Sequence, residues 1–274
     1  MKHKLKILSA IALLTAITLS GCALPSAFEP EIPPADVVEE EAGEENKTEE
    51  EIIEEEIEVP EPPQAMVSYI KVTGSGVNLR KGAGTSYASV GTAEKDTLYA
   101  CLGEYNGWYK TYYKNSEVYI SKKYCEPVAL PKSSEKIEKV INEGCKLLGV
   151  KYVYGATRYH DGTGKLLSGF TSTKFDCSSL VQYIFKVGAN VDLQVNTRTQ
   201  AVQGSAVAKA DLQRGDLIFF TNSSRQHLTG IERIGHVALY LGDNLILHTS
   251  SDYAKIENIS STRWGYYVRA RRMI

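Results

Sequence analysis

The chain has 274 residues, with 31 Lys and Arg against 33 Asp and Glu, a formal net charge of −2. Residues 1–65 carry 16 acidic and 4 basic side chains, which leaves 17 acidic and 27 basic in 66–274, a net of +10. That length allows one large or two modest domains. Beyond one N-terminal apolar run, no stretch is long and apolar enough to span a membrane as a helix. The cationic part suits nucleic acid, anionic lipid or an anionic polymer, and charge alone does not choose among them.

Lys2, Lys4 and Lys6 precede an apolar run from Ile7 to Leu19, interrupted only by Ser and Thr. That is the layout of a secretory signal peptide, and the run is shorter than the ~20 residues a membrane span needs. It ends in Leu19-Ser20-Gly21-Cys22, which resembles the lipobox of bacterial lipoproteins. The resemblance implies a signal peptide over 1–21, a lipid on Cys22, and an extracytoplasmic protein held to the bacterial membrane and facing the wall. Residues 22–65 combine prolines with runs such as E-E-E-A-G-E-E-N-K-T-E-E-E. Few apolar side chains and dense like charge predict a disordered, self-repelling tether.

From Met66 to Val128 short β patterns alternate with turns: V-S-Y-I-K-V, G-V-N-L-R, T-L-Y-A-C-L, W-Y-K-T-Y-Y and V-Y-I, punctuated by Gly74, Gly76, Gly82, Gly84, Gly103 and Gly107. Such frequent turns predict a small β-barrel. Val77-Asn78-Leu79-Arg80-Lys81-Gly82, then Gly107-Trp108-Tyr109-Lys110 and Val118-Tyr119-Ile120, resemble a bacterial SH3-like domain. That resemblance implies a barrel over 66–128 that binds wall components or shapes a substrate groove.

After Pro131, Ser133 or Ser134 is placed to cap a helix bearing Ile137, Val140, Ile141, Cys145 and Leu148, with Gly149 as its stop. Cys145 lies on the apolar stripe and reads as a buried, inert thiol. A second helix is expected after Asp176, with Leu180, Val181, Ile184, Phe185 and Val187 as apolar positions and Gly188 at its end. Strands are expected at 217–221, 236–241, 245–249 and 266–270. Helices first and an antiparallel sheet afterwards make residues 132–274 an α+β domain.

Cys177 opens the second helix, where unpaired N–H groups and the macrodipole favour a thiolate and predict a lowered pKa. A cysteine nucleophile also needs a histidine and a group to orient it. After His3 the candidates are His160, His227, His236 and His248. His236 opens H-V-A-L-Y-L and His248 lies in L-I-L-H-T, with Gly242-Asp243-Asn244 as the turn between them. Pairing Leu241 with Leu245 sets 236 opposite 250. His236 and His248 then become diagonal neighbours, about 7–8 Å apart at the backbone. A one-residue slip would put them on opposite faces.

The order Y-V-Y-G (152–155), F-D-C-S-S-L-V (175–181), R-G-D-L-I-F-F (214–220), G-H-V-A-L-Y-L-G (235–242) and L-H-T-S (247–250) resembles the NlpC family of cell-wall cysteine peptidases. The resemblance implies a papain-like fold over 132–274. It makes Cys177 the nucleophile, His236 the base and His248 the orienting third residue. Tyr152 matches the tyrosine near the oxyanion, with the Cys177 backbone N–H as a second donor. Asp176, Ser178 and Thr197 match residues lining the substrate site. The implied reaction is cleavage between D-glutamyl and a diamino acid in peptidoglycan stem peptides, through a thioester. The partners it implies are those peptides and, through Cys22, the membrane. No cofactor, no nucleic acid and a monomer complete the picture. An amidase or acyl transferase with the same nucleophile, or a non-catalytic wall-binding lipoprotein, are the rival functions.

Two polar insertions depart from the family pattern, at 157–174 and 222–234, and Ala156 stands where a second glycine is common. His160 and His227 read as exposed loop residues, and Asp216 as a turn-stabilising carboxylate. No C-x-x-C or H-E-x-x-H spacing supports a metal site. Cys101 and Cys125 share the barrel in an oxidising compartment, which leaves a disulfide between them open.

Overall fold

The computed structural model describes residues 63–274. The expected signal peptide, Cys22 and the tether up to residue 62 lie outside the described residues. The barrel segment supplies β1 Met66–Val72, β2 Val77–Arg80, β3 Ser89–Ala93, β4 Leu98–Ala100, β5 Gly103–Tyr105, β6 Trp108–Tyr113, β7 Ser116–Ser121 and β8 Cys125–Pro131. Then come α1 Glu135–Lys146, β9 Lys151–Tyr152, β10 Lys174–Phe175, α2 Cys177–Ala189, α3 Thr197–Gln200 and β11 Ser205–Val207. The chain closes with β12 Leu217–Phe220, β13 His236–Gly242, β14 Leu245–Ser250, β15 Tyr253–Asn258, α4 Ser261–Gly265 and β16 Tyr267–Arg272.

Helices packed on a largely antiparallel sheet make the larger part α+β, and the five strands β3-β2-β7-β6-β5 form the small barrel-like sheet. The other sheet runs β11-β16-β12-β13-β14-β15-β4-β1-β8, with β9 attached to β15 and β10 to β9. Three strands of the barrel segment therefore extend the sheet that carries both histidines. The contact is a single pairing, Ile256 with Leu98, flanked by a full β1–β8 ladder. One apolar core joins the two parts, with Ile70, Leu79 and Ile120 in the same cluster as Ile141, Phe175 and Leu247. Arg214 ties them with polar bonds: its guanidinium donates to both carboxylate oxygens of Glu138 at 2.7 and 2.9 Å and to the Tyr69 hydroxyl at 2.7 Å.

The helix boundaries follow local chemistry. Ser134 caps α1 by accepting from the Ile137 N–H at 3.3 Å, and Cys145 is buried as expected. Asp176 caps α2 in a reciprocal box with Ser179. That helix does not stop at Gly188. It runs to Ala189 and ends on Asn190 in the left-handed conformation, φ 54°. Gly188 serves instead where α2 meets α1, because a Cβ there would lie 2.6 Å from Val140 Cα. Val187 falls beyond the buried part of α2, which ends at Phe185, and is 43% exposed.

Cys101 and Cys125 are free. Cys125 pairs with Val72 on one side of β1, while the Cys101 N–H bonds Ser68 O on the other. Two strand spacings and four residues of rise separate them by on the order of 15 Å, beyond any disulfide.

Candidate active site

Cys177 is the first residue of α2, placed there by the Asp176 cap. The backbone N–H groups of Ser178 and of Val237, the residue after His236, face its sulfur. The hairpin that carries the histidines keeps the expected register on their side of the turn. Tyr240 pairs with Ile246 and Leu239 with Leu247, which sets 236 level with 250. Near the turn the pairing differs from expectation, since Gly242 rather than Leu241 faces Leu245, across a bulge. Asp243 and Asn244, at φ 46° and 61°, form a two-residue turn that suits the strand twist. His236 Nε2 and His248 Nδ1 end 3.0 Å apart.

The sequence reading missed the next strand, β15, and with it Glu257. Glu257 pairs across from Ile246, so it is the diagonal neighbour of His248 on the other side of β14. Its Oε1 lies 2.9 Å from His248 Nε2. A signal existed in the alternation of Y-A-K-I-E-N, whose Ala254 and Ile256 are buried.

The tautomers follow from the end of this chain. A carboxylate only accepts, so His248 Nε2 carries the proton and its Nδ1 accepts from His236 Nε2. His236 Nδ1 then keeps its lone pair, the state a base requires. Burial, and then the proximity of His248 and Arg263, hold the His236 pKa well below the usual 6.5. Burial also lowers His248, with the Glu257 hydrogen bond opposing it. For Glu257, burial acts upward, but the His248 bond and the charges of His248, Lys255 and Arg263 carry its carboxyl down to about 2.

The thiol departs from the sequence expectation. Desolvation pushes Cys177 up to about 12, the Asp176 charge adds to it, and the facing N–H groups and Arg158 offset only part. A helix N-terminus is therefore outweighed by loss of water.

A cleft of about 410 Å³ opens over Cys177, lined also by Tyr152, Asp176, Ser178 and Thr197, so the structure brings those expected residues together. Tyr152 reaches it because β9 pairs with β10, setting Tyr152 beside Phe175. Burial raises its phenol, and the Cys177 charge acts in the same direction. Asp176 has little capacity left for a ligand. Its Oδ1 accepts from the Ser179 N–H and the Ser178 hydroxyl, and its Oδ2 from the Gly155 N–H and Arg158. Arg158, from the 157–174 insertion, donates at 2.7 Å and also bonds Ser178 Oγ at 3.1 Å.

His160 is not the exposed loop residue expected. It is fully buried, with Nδ1 accepting from the Gly162 N–H and its carbonyl accepting from the Gln182 side chain of α2. His227 is exposed. Asp216 is buried, accepting from the Gln213 N–H and, on both oxygens, from Arg272. Among the described residues, no group of three or more His, Cys, Asp or Glu side chains could hold a metal.

The NlpC/P60 family matches residues 149–273, and the bacterial SH3 domain matches 75–126. A gamma-D-glutamyl-L-lysine dipeptidyl-peptidase of Bacillus cereus is 33% identical over 140 residues, covering 50% of this chain and 36% of that protein. The Bacillus subtilis protein of the same name is 28% identical over 198 residues, covering 71% and 60%. The chain thus spans between a third and three-fifths of the length of these relatives. A crystal structure of an NlpC/P60 family protein from Bacillus cereus aligns with a TM-score of 0.41 at 23% identity, covering 76% of this chain and 63% of that one.

Proposed function

Starting from a chain that carries an NlpC/P60 domain behind a bacterial SH3 domain, we propose that it is a peptidoglycan hydrolase cutting an amide in stem peptides. The proposed bond joins D-glutamyl to a diamino acid, in keeping with the gamma-D-glutamyl-L-lysine peptidases among its relatives. The observation that carries the reading is the hydrogen-bonded line from Glu257 through His248 to His236, on the strand whose Val237 N–H faces the Cys177 sulfur.

In this mechanism the substrate carbonyl sits over Cys177. As Sγ attacks, its proton passes to His236 Nδ1, so charge appears only with bond formation. His248 and Glu257 stabilise the imidazolium without taking its proton. The Cys177 N–H and the Tyr152 hydroxyl hold the oxyanion. Collapse breaks the C–N bond, and His236 returns the proton to the departing amine. Water then attacks the thioester, giving its proton to His236, and the thiol is restored as the acid leaves.

The wider reading places the SH3 domain and the cationic 66–274 part on the anionic wall, with the chain lipid-anchored through Cys22 and acting outside the cytoplasm. Cys22→Ala should abolish lipid labelling and membrane retention together, and retention of both would contradict the anchor. The rival, a non-catalytic wall binder, gives no role to the line from Glu257 through His248 to His236. Purified protein and its Cys177→Ala variant, incubated with peptidoglycan and read by mass spectrometry, decide between them. Equal product patterns would overturn hydrolysis by this cysteine.

A further inference from the structure

The outer wall of the cleft is made by the second insertion, which the mechanism above does not use. The charged side chains lining the cleft are Arg158, Arg198, Arg225 and Asp176. Arg158 is spent on Asp176, at 2.7 Å. Arg198 and Arg225 remain, and both turn to one carboxylate. Glu232 Oε1 lies 3.4 Å from Arg198 Nε, and its Oε2 lies 3.4 Å from Arg225 Nη1. Arg225 is held for this role, since it also donates to Glu232 O at 2.6 Å. Its stem packs against Gly235, the residue before His236, where a Cβ would lie 3.2 Å from Arg225 Cδ.

Resting on the hydrolase reading, we propose that Arg198 and Arg225 form a subsite for a substrate carboxylate, which Glu232 occupies as an internal competitor. Glu232 already demonstrates that one carboxylate can span both guanidiniums, one oxygen to each. The pairing is also easily displaced. Its side chains are 33%, 30% and 60% exposed, and exposed ion pairs at this separation are weak and screened by salt. A γ-linked glutamyl residue supplies the matching group, because linkage through its side chain leaves the α-carboxylate free. Two guanidiniums suit such an anion better than ammonium groups would. Amidation of that carboxylate would remove the charge the subsite reads.

The test uses an N-acetylated γ-D-glutamyl-L-lysine peptide and its α-carboxamide twin. The wild-type chain should favour the carboxylate peptide at least tenfold in kcat/KM, mostly through KM. Arg225→Gln should bring the twins together, Arg225→Lys should restore part of the gap, and Glu232→Gln should widen it. Equal handling of the twins by the wild type, or a gap untouched by Arg225→Gln in protein that melts normally, would overturn the subsite. Calorimetric binding of both peptides to Cys177→Ala separates the two readings. A carboxylate preference in binding without turnover by the wild type would sink hydrolysis and keep the subsite, whereas turnover without preference does the reverse.

Discussion

Glu257 stands to His248 as His248 stands to His236: each is the diagonal neighbour of the next across adjacent strands, at 2.9 and 3.0 Å. Three consecutive antiparallel strands thus carry a hydrogen-bonded line from a carboxylate to the His236 imidazole, one residue from the Val237 N–H that faces the Cys177 sulfur. In the proposed mechanism the carboxylate matters twice, as the acceptor that sets both tautomers and as the charge that favours a transient imidazolium. Glu257→Gln should lower kcat about 10- to 10³-fold, less than the loss from replacing a buried triad aspartate with its amide. It should also move the acid limb of kcat/KM to lower pH, because the hydrogen bond to Glu257 raises the His248 pKa. A fall in kcat with an unmoved limb would assign Glu257 to packing alone.

A raised thiol and a lowered imidazole predict a pH dependence opposite to that of a preformed thiolate. With Cys177 pushed up to about 12, alkylation by iodoacetamide should rise with a midpoint above the ~8.5 of free cysteine. With His236 held well below 6.5, the proposed base keeps its lone pair to lower pH than a free imidazole does, so turnover should persist at pH 6. An alkylation midpoint below 8.5 would show that a thiolate exists before substrate binds.

Stability should fall on acidification for the same reasons. His236 takes up its proton at lower pH when folded than when unfolded, so the unfolded chain binds more protons as pH drops through about 6.5. Glu257, depressed to about 2, adds stability that is present above its unfolded value and is lost as pH approaches 2. Thermal melts between pH 7 and 4 should therefore show a decreasing Tm, and His236→Asn should flatten the upper part of that decline. A wild-type Tm that is level from pH 7 to 5 would contradict a lowered His236 pKa in the folded chain.

Gly188→Ala should destabilise despite improving helix propensity. Propensity alone would add about 1 kcal/mol. The new methyl, however, meets Val140 Cα at 2.6 Å, Val140 N at 2.7 Å and Lys139 C at 2.9 Å, all backbone that cannot rotate away. Overpacking of this kind costs about 1–3 kcal/mol. Because α2 begins with Cys177, a shift in its packing should also appear as reduced alkylation contrast between native and denatured protein. A Tm equal to or above the wild type would show that the helices separate freely.

Removal of residues 66–128 should prevent folding rather than only weaken wall binding. The cut strips β1 and β4 from the edge of β15, the strand bearing Glu257, and exposes the shared core. Arg214→Ala is the gentler probe. It leaves Glu138 without its bidentate partner in a part-buried site and should cost about 1.5–3 kcal/mol, the range for hydrogen bonds to charged groups. A 129–274 fragment with native circular dichroism and turnover would show that the two parts are separable.

Much of the site was legible because it is written in short-range chemistry. An Asp before a helix caps it, so Asp176 placed Cys177 in the first turn, where it is found. Period-two alternation and a polar turn made a hairpin of β13 and β14. A register follows from such a hairpin alone, and it brought His236 to His248. Gly188 misled for the same local reason: a glycine near a helix end reads as a stop, and only the neighbouring helix reveals that it is a point of close approach.

What only the tertiary structure decided depends on groups distant in sequence or on the removal of water. Glu257 belongs to the hydrogen-bonded line because β15 lies beside β14, and Arg158 silences Asp176 because an insertion folds back over the cap. The Cys177 thiol is raised rather than lowered because desolvation, a property of everything packed around it, exceeds the pull of one helix end. By itself the sequence determined which residues could do cysteine chemistry and on which elements they sit. The directions of their pKa shifts, and Glu257 as a further partner, followed from the packing, since electrostatic energies depend on burial and distance that no spacing of residues records.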